Sequence, residues 1–89
     1  MKTTEYLASA KKKLKISSDY GMAKHLGITR GAMSNYKNGI RTIDNATCVK
    51  LAEILEIDPM EIIATASLER ETTPEGKSFW RTFLEQTGA

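Results

Sequence analysis

The chain has 89 residues, 40% of them hydrophobic, and a formal net charge of +2. This length suits one compact domain, and the lack of any run of about 18 apolar residues excludes a membrane-spanning helix. The amino terminus lacks the apolar core of a secretory signal and Cys48 is the only cysteine, so we expect a cytoplasmic protein without an internal disulfide.

The charged residues are distributed unevenly along the chain. Residues 1–50 carry ten Lys or Arg against three acidic residues, whereas residues 51–89 carry three Lys or Arg against eight acidic residues. A basic half followed by an acidic half suggests one face for a polyanion and an acidic face behind it. A solvated surface with chance clustering of charge is the alternative interpretation.

Helix start signals recur along the sequence and strand patterns are weak, so we expect an all-α fold. The first three helices are expected over about residues 4–15, 19–26 and 29–38. Their expected N-caps are Thr3 or Thr4, Ser18 and Thr29. The pair Asn38-Gly39 suits a left-handed end of the third helix.

Three further helices are expected, over about residues 44–55, from residue 58, and over about residues 74–86. The fourth has a core-facing stripe at helical spacing, formed by Cys48, Leu51, Ala52 and Leu55. In the fifth, Asp58 followed by Pro59 is a strong start signal. The apolar pattern then stops, so we expect a hinge near residues 72–73, with a domain at residues 1–66 and a C-terminal extension at residues 67–89.

The connection between the second and third helices is only three residues long. Gly27 permits a left-handed turn without a Cβ penalty, and Ala23 leaves room for a second helix to cross closely. A tight turn between two steeply crossed helices is a helix-turn-helix unit. Its expected core comprises Met22, Ala23, Leu26, Gly27, Ile28, Met33 and Tyr36.

The outer face of the third helix is polar, small and free of carboxylates. It comprises Arg30, Gly31, Ser34, Asn35 and Asn38. A helix that enters a DNA major groove needs little bulk, hydrogen-bond donors for base edges and no anions. The face therefore favours contact with duplex DNA over a merely solvated surface.

The stretch "MAKHLGITRGAMSNYKNG" at residues 22–39 resembles the helix-turn-helix of phage Cro and repressor proteins. The stretch "KLAEILEIDPMEII" at residues 50–63 resembles the fourth and fifth helices of that family. The resemblance implies a five-helix lambda-repressor-like DNA-binding domain, here with an additional C-terminal helix, that binds double-stranded operator DNA as a homodimer.

The resemblance also implies which residues touch DNA. By position, the expected base contacts are Arg30, Gly31, Ser34 and Asn35. The expected phosphate contacts are Ser18, Thr29, Lys37, Asn38 and Arg41. Two residues depart from the family pattern. Asp19 would repel phosphate unless its side chain turns aside, and Glu56 replaces a helix-ending glycine, so we expect a different turn there.

The sequence gives little support for an enzymatic or metal-binding function. Cys48 lies on an apolar stripe and is expected to be a buried structural thiol, and His25 has no second ligand at metal spacing. We therefore expect no enzymatic activity, catalytic residue, metal, cofactor or small-molecule ligand, and no association with membranes.

The sequence thus predicts a sequence-specific transcription regulator of the bacterial cytosol or nucleoid, of the Cro-like phage or prophage repressor type. The alternative is an antitoxin-like or adaptor protein whose C-terminal helix binds a protein partner. Residues assigned to dimer formation or to packing of the tail are Ile63, Ala66, Phe79, Trp80 and Phe83.

Overall fold

The computed structural model describes residues 2–87, and the regular secondary structure in that range is entirely α-helical, with no strand. The helices are α1 (Thr3–Lys13), α2 (Asp19–Leu26), α3 (Arg30–Lys37), α4 (Asn45–Leu55), α5 (Pro59–Arg70) and α6 (Pro74–Gln86). The predicted all-α class, with a sixth helix after a five-helix domain, is confirmed. Within the described range, no helix is both long and apolar enough to cross a membrane.

Most helices begin where local sequence signals predict. The side chains of Ser18, Thr29, Asp58 and Thr73 each accept a hydrogen bond from a backbone N–H of the helix that follows. Each such cap satisfies a donor that the first turn would otherwise leave without a partner. These boundaries therefore follow from short-range chemistry.

The start of α1 differs from expectation, because its N-cap is Lys2 rather than Thr3 or Thr4. Glu69, near the end of α5, accepts hydrogen bonds from the backbone N–H of Thr3 at 2.8 Å and from its hydroxyl group at 2.6 Å. A carboxylate from a distant helix thus takes the place of a local capping side chain.

The end of α1 is also earlier than expected. The helix ends at Lys13, and Lys15 adopts a left-handed conformation with φ of 58°. The N–H of Ile16 then donates to the carbonyl group of Lys11 at 3.0 Å, which closes the helix.

The hydrophobic core lies where α1, α4 and α5 meet and where α2 and α3 pack on each other. Its fully buried large side chains include Met22, Leu26, Leu51 and Ile62. Each such side chain contributes about 1.5–3 kcal/mol by leaving water. The core therefore fixes the α2–α3 unit against a three-helix base.

The turn after α4 does not differ in the way that we expected. Glu56 adopts a left-handed conformation with φ of 58°, and the N–H of Ile57 donates to the carbonyl group of Ala52 at 3.1 Å. This is the geometry that a helix-ending glycine provides. The prediction of a different turn was wrong, because glutamate accepts the conformation at a conformational cost.

The C-terminal part of α5 packs with the helix-turn-helix domain. The helix continues to Arg70, so the domain boundary expected between residues 66 and 67 lies inside α5. Arg70 donates from Nη1 to the carbonyl group of Ile43 at 3.3 Å. The turn follows at residues 71–73, where the Glu71 carboxylate accepts from the N–H groups of Thr72 and Thr73.

The sixth helix lies against α5 and contributes no buried residue. Phe79 is 60% exposed, and its ring meets Trp80 edge to face at a centroid distance of 5.0 Å. Trp80 and Phe83 are half-buried. Ala66 is fully buried within the single chain, so its side chain is unavailable to a second copy.

Candidate nucleic-acid interface

The joint between α2 and α3 has the geometry of a tight helix-turn-helix. Gly27 has φ of 72°, and the N–H of Ile28 donates to the carbonyl group of Ala23 at 3.0 Å. Lys50 of α4 reaches across and donates from Nζ to the carbonyl group of Leu26 at 2.8 Å. A cation on the carboxyl end of α2 suits the helix dipole and fixes the turn against α4.

The expected helix-turn-helix core is assembled as the spacing indicates. Met22, Ala23, Leu26 and Met33 are each at most 3% exposed. The half-buried side chains of Ile28 and Tyr36 pack against this core, while Gly27 lies at the surface as the turn. The Tyr36 hydroxyl group donates to Asp44 at 3.0 Å, and burial raises the pKa of Tyr36.

An open groove of about 520 Å³ runs between α2 and the outer face of α3. Its lining comprises Asp19, Tyr20, Arg30, Gly31, Met33, Ser34, Lys37 and Asn38. Three of the four expected base-contact residues, Arg30, Gly31 and Ser34, therefore share one exposed surface. Asn35 is half-buried and outside this lining.

Arg30 lies at the first position of α3, and its guanidinium carbon is 4.8 Å from the centre of the Tyr20 ring. A cation over an aromatic face is held by the quadrupole of the ring. Tyr20 is 53% exposed, which leaves the edge of this pair open to a ligand. Sequence reasoning missed Tyr20, although an exposed aromatic side chain at the second position of α2 was a visible signal.

The expected phosphate-contact residues fall into two groups. Ser18 and Thr29 serve as N-caps of α2 and α3, where exposed N–H groups favour an anion. Lys37, Asn38 and Arg41 border a second groove of about 410 Å³, which Lys2 also lines. Lys2 was not predicted, because it is distant in sequence and reaches this groove only through the packing of α1.

Lys37 is already engaged by an acidic side chain. Its Nζ lies 2.6 Å from Oδ2 of Asp19, and Nζ of Lys11 lies 2.8 Å from Oδ1 of the same carboxylate. Hydrogen bonds from Lys11 and then Lys37 lower the pKa of the Asp19 carboxyl group. The side chain of Asp19 thus turns toward two lysines, as we expect of an acid at this position if it is not to repel phosphate.

The surroundings of Cys48 and His25 do not indicate a reactive thiol or a metal site. Cys48 is fully buried, and burial raises the pKa of its thiol group to about 11, so it stays protonated near neutral pH. His25 is exposed in the last turn of α2. Among residues 2–87, no three His, Cys, Asp or Glu side chains form a group that could hold a metal ion.

Two helices joined by a short turn define a helix-turn-helix DNA-binding domain when the second helix presents a surface that is basic and poor in carboxylates. A family model described as helix-turn-helix, of the Cro/C1 type, matches residues 7–62. The chain belongs to this family, and it is a DNA-binding transcription regulator of the Cro/C1 type. Such domains are typically not enzymes. Comparisons with curated proteins and with solved structures found no match.

Proposed function

We propose that the protein is a repressor of the phage or prophage type that binds a specific operator in duplex DNA as a homodimer. The observation that carries this proposal is the outer face of α3, where Arg30, Gly31 and Ser34 are exposed in one groove. In this proposal α3 lies in the major groove and presents that face to the base edges.

The chemistry of the face supports base recognition. Arginine matches the O6 and N7 acceptors of guanine with two parallel donors, and Arg30 is in the first turn of α3. Gly31 carries no side chain, which allows the helix backbone to approach the bases closely. Asn38 donates from Nδ2 to the Ser34 hydroxyl oxygen at 3.2 Å, which leaves the Ser34 proton for a base or phosphate.

A homodimer is proposed because one helix-turn-helix unit contacts too few base pairs, about four to six, for selectivity among genomic sites. Two recognition helices related by two-fold symmetry would lie about 34 Å apart, or one DNA turn. The exposed ring of Phe79 on α6 supports a dimer surface that includes Phe79, Trp80 and Phe83. Since Ala66 is buried, it belongs with the packing inside one chain, and Ile63 packs against the core.

Selection of bound sequences from random duplex DNA tests the operator proposal. We expect a pseudo-palindromic site with half-site centres about 10 base pairs apart. Arg30→Ala should relax the preference for guanine at one base pair, at a cost of about 1–3 kcal/mol. Arg81→Ala is the matched control, since Arg81 is an exposed cation on α6 outside the groove. Undiminished selectivity in Arg30→Ala would refute the assignment of the face.

Sedimentation tests the dimer. We expect the parent to be a dimer and Phe79→Ala to weaken it without unfolding the chain, because this ring is largely exposed. Trp80→Ala should weaken dimerisation or folding, and a parallel melting curve separates the two. A monomeric parent whose operator affinity survives both changes would contradict the homodimer. It would favour the antitoxin-like or adaptor role, in which α6 docks onto another protein.

A further inference from the structure

One carboxylate on the DNA-facing side holds two lysines from two different helices. Oδ1 of Asp19 lies 2.8 Å from Nζ of Lys11 in α1, and Oδ2 lies 2.6 Å from Nζ of Lys37 in α3. Asp19 itself is the first residue of α2. Each oxygen of the carboxylate therefore accepts from one ammonium group, in the manner of a bridging anion.

This cluster lies beside the expected recognition surface. Asp19 and Lys37 line the same groove as Arg30, and Lys11 lines a smaller apolar hollow that shares Asp19 and Lys37. A DNA phosphate that approached the mouth of this groove would meet the carboxylate together with the two ammonium groups. The local sum of charge there is +1 instead of the +2 that two unpaired lysines would present.

We infer that Asp19 limits sequence-independent DNA binding by occupying Lys11 and Lys37, the two cations that a phosphate would otherwise bind. This inference rests on the proposed DNA-binding function. Sequence-independent affinity comes almost entirely from cations that contact phosphates and release counterions, so neutralising two of them lowers it. Base contacts from the α3 face do not depend on these two cations, so they provide a larger share of the total binding free energy for operator DNA.

The exposure of the three side chains fits this role. Their exposed fractions are 27% for Lys11, 41% for Asp19 and 49% for Lys37. Ion pairs at such exposure contribute little to fold stability and are screened by salt. The pairs therefore matter less for holding the helices together than for setting the charge that DNA meets.

The test compares Asp19→Asn with Glu53→Gln for binding to random-sequence duplex DNA at 50 and 200 mM salt. Both variants remove one negative charge, but Glu53 is exposed on α4 outside the two α3 grooves. We expect Asp19→Asn to bind several-fold more tightly than the parent at 50 mM. Because Asp19→Asn raises the local charge by one, that advantage should shrink by about threefold between 50 and 200 mM. Glu53→Gln should show little of either effect.

We expect Asp19→Asn to fold, because Ser18 caps α2 independently of Asp19. A second comparison tests the inference if it does not fold. Lys37→Gln should change sequence-independent affinity and its salt dependence less than Arg41→Gln. The reason is that Arg41 is exposed and has no acidic partner among residues 2–87, whereas Lys37 is already paired.

The outcomes separate the inference from the proposed function. If the parent binds DNA but Asp19→Asn behaves like Glu53→Gln or binds more weakly, the inference fails and the function stands. If Lys37→Gln loses as much affinity as Arg41→Gln, the inference fails likewise. If neither parent nor Asp19→Asn shows salt-dependent binding to duplex DNA, the proposed function fails and the inference falls with it.

Discussion

Replacing Gly27 tests how the helix-turn-helix joint is built. With φ of 72°, Gly27 occupies the left-handed region, where an L side chain is strained by about 1–2 kcal/mol. A Cβ placed there would lie 3.5 Å from Nζ of Lys50, which is ordinary contact. The penalty for Gly27→Ala is therefore conformational rather than steric. The strain exceeds the gain of about 0.5–1 kcal/mol from reduced chain entropy, so we expect a net loss of about 0.5–1 kcal/mol.

Gly27→Val should cost more, because β-branched side chains tolerate this conformation least. Its Cγ atoms would also crowd the Lys50 ammonium group that donates to the Leu26 carbonyl oxygen. For a domain of this size, each 1 kcal/mol lowers the melting temperature by about 4–8 °C. Thermal unfolding followed by circular dichroism provides the measurement.

Two other glycines serve as matched controls. Gly39 has the same φ of 72° with no atom within 4 Å of an added Cβ, so Gly39→Ala isolates the backbone strain. Gly31 is helical, and an added Cβ would meet only the Thr29 hydroxyl oxygen at 3.9 Å. Gly31→Ala should therefore stabilise the fold by about 0.5–1 kcal/mol. An unchanged midpoint in Gly27→Ala beside a raised midpoint in Gly31→Ala would refute the reasoning about the joint.

Three further predictions concern single side chains. Tyr20→Ala should weaken specific DNA binding by about 0.5–1 kcal/mol by releasing Arg30, whereas Tyr20→Phe keeps the ring face and the affinity; equal losses in both would contradict this role. Glu56→Gly should raise the melting midpoint by relieving left-handed strain of about 1–2 kcal/mol, less about 0.5–1 kcal/mol for added chain entropy. The exposed ion pair with Lys13 that is lost contributes little, so a lowered midpoint would contradict the strain at Glu56. Burial of the side chain, and then the hydrogen bond to Glu61, raise the pKa of Tyr6 to about 12. Because the fold disfavours the phenolate, the free energy of unfolding is fully retained below pH 10 and falls by about 2 kcal/mol as the pH approaches 12. Chemical denaturation of the parent and of Tyr6→Phe across this pH range should therefore diverge.

Sequence reasoning succeeded where the controlling interactions are local. The caps at Ser18 and Thr29 depend on a side chain and an N–H group three residues apart, and both are present. The left-handed Gly27 likewise follows from the shortness of the connection. Such features need no knowledge of the rest of the fold.

The remaining features depend on tertiary packing. Glu69 caps α1 from 66 residues away, and no local sequence pattern predicts this contact. The placement of the Arg30 guanidinium group over the Tyr20 ring depends on how α2 and α3 cross. Helical periodicity put Asn35 on the outer face, but the structure leaves it half-buried at the end of the helix, where its carbonyl group accepts from Ile40 and Arg41. Its contact with a base stays a prediction.

The aromatic cluster on α6 has a practical consequence for spectroscopy. Trp80 is the only tryptophan of the chain, and its rings contact Phe79 and Phe83 at the surface instead of the core. Its fluorescence therefore monitors α6 and its immediate surroundings, whereas circular dichroism averages over all the helices. Because α6 buries no residue, it can open at a lower free energy than the core helices. Coincident curves from the two signals would mean that the tail and the domain unfold as one cooperative unit. An earlier fluorescence transition would resolve α6 as a separate unit.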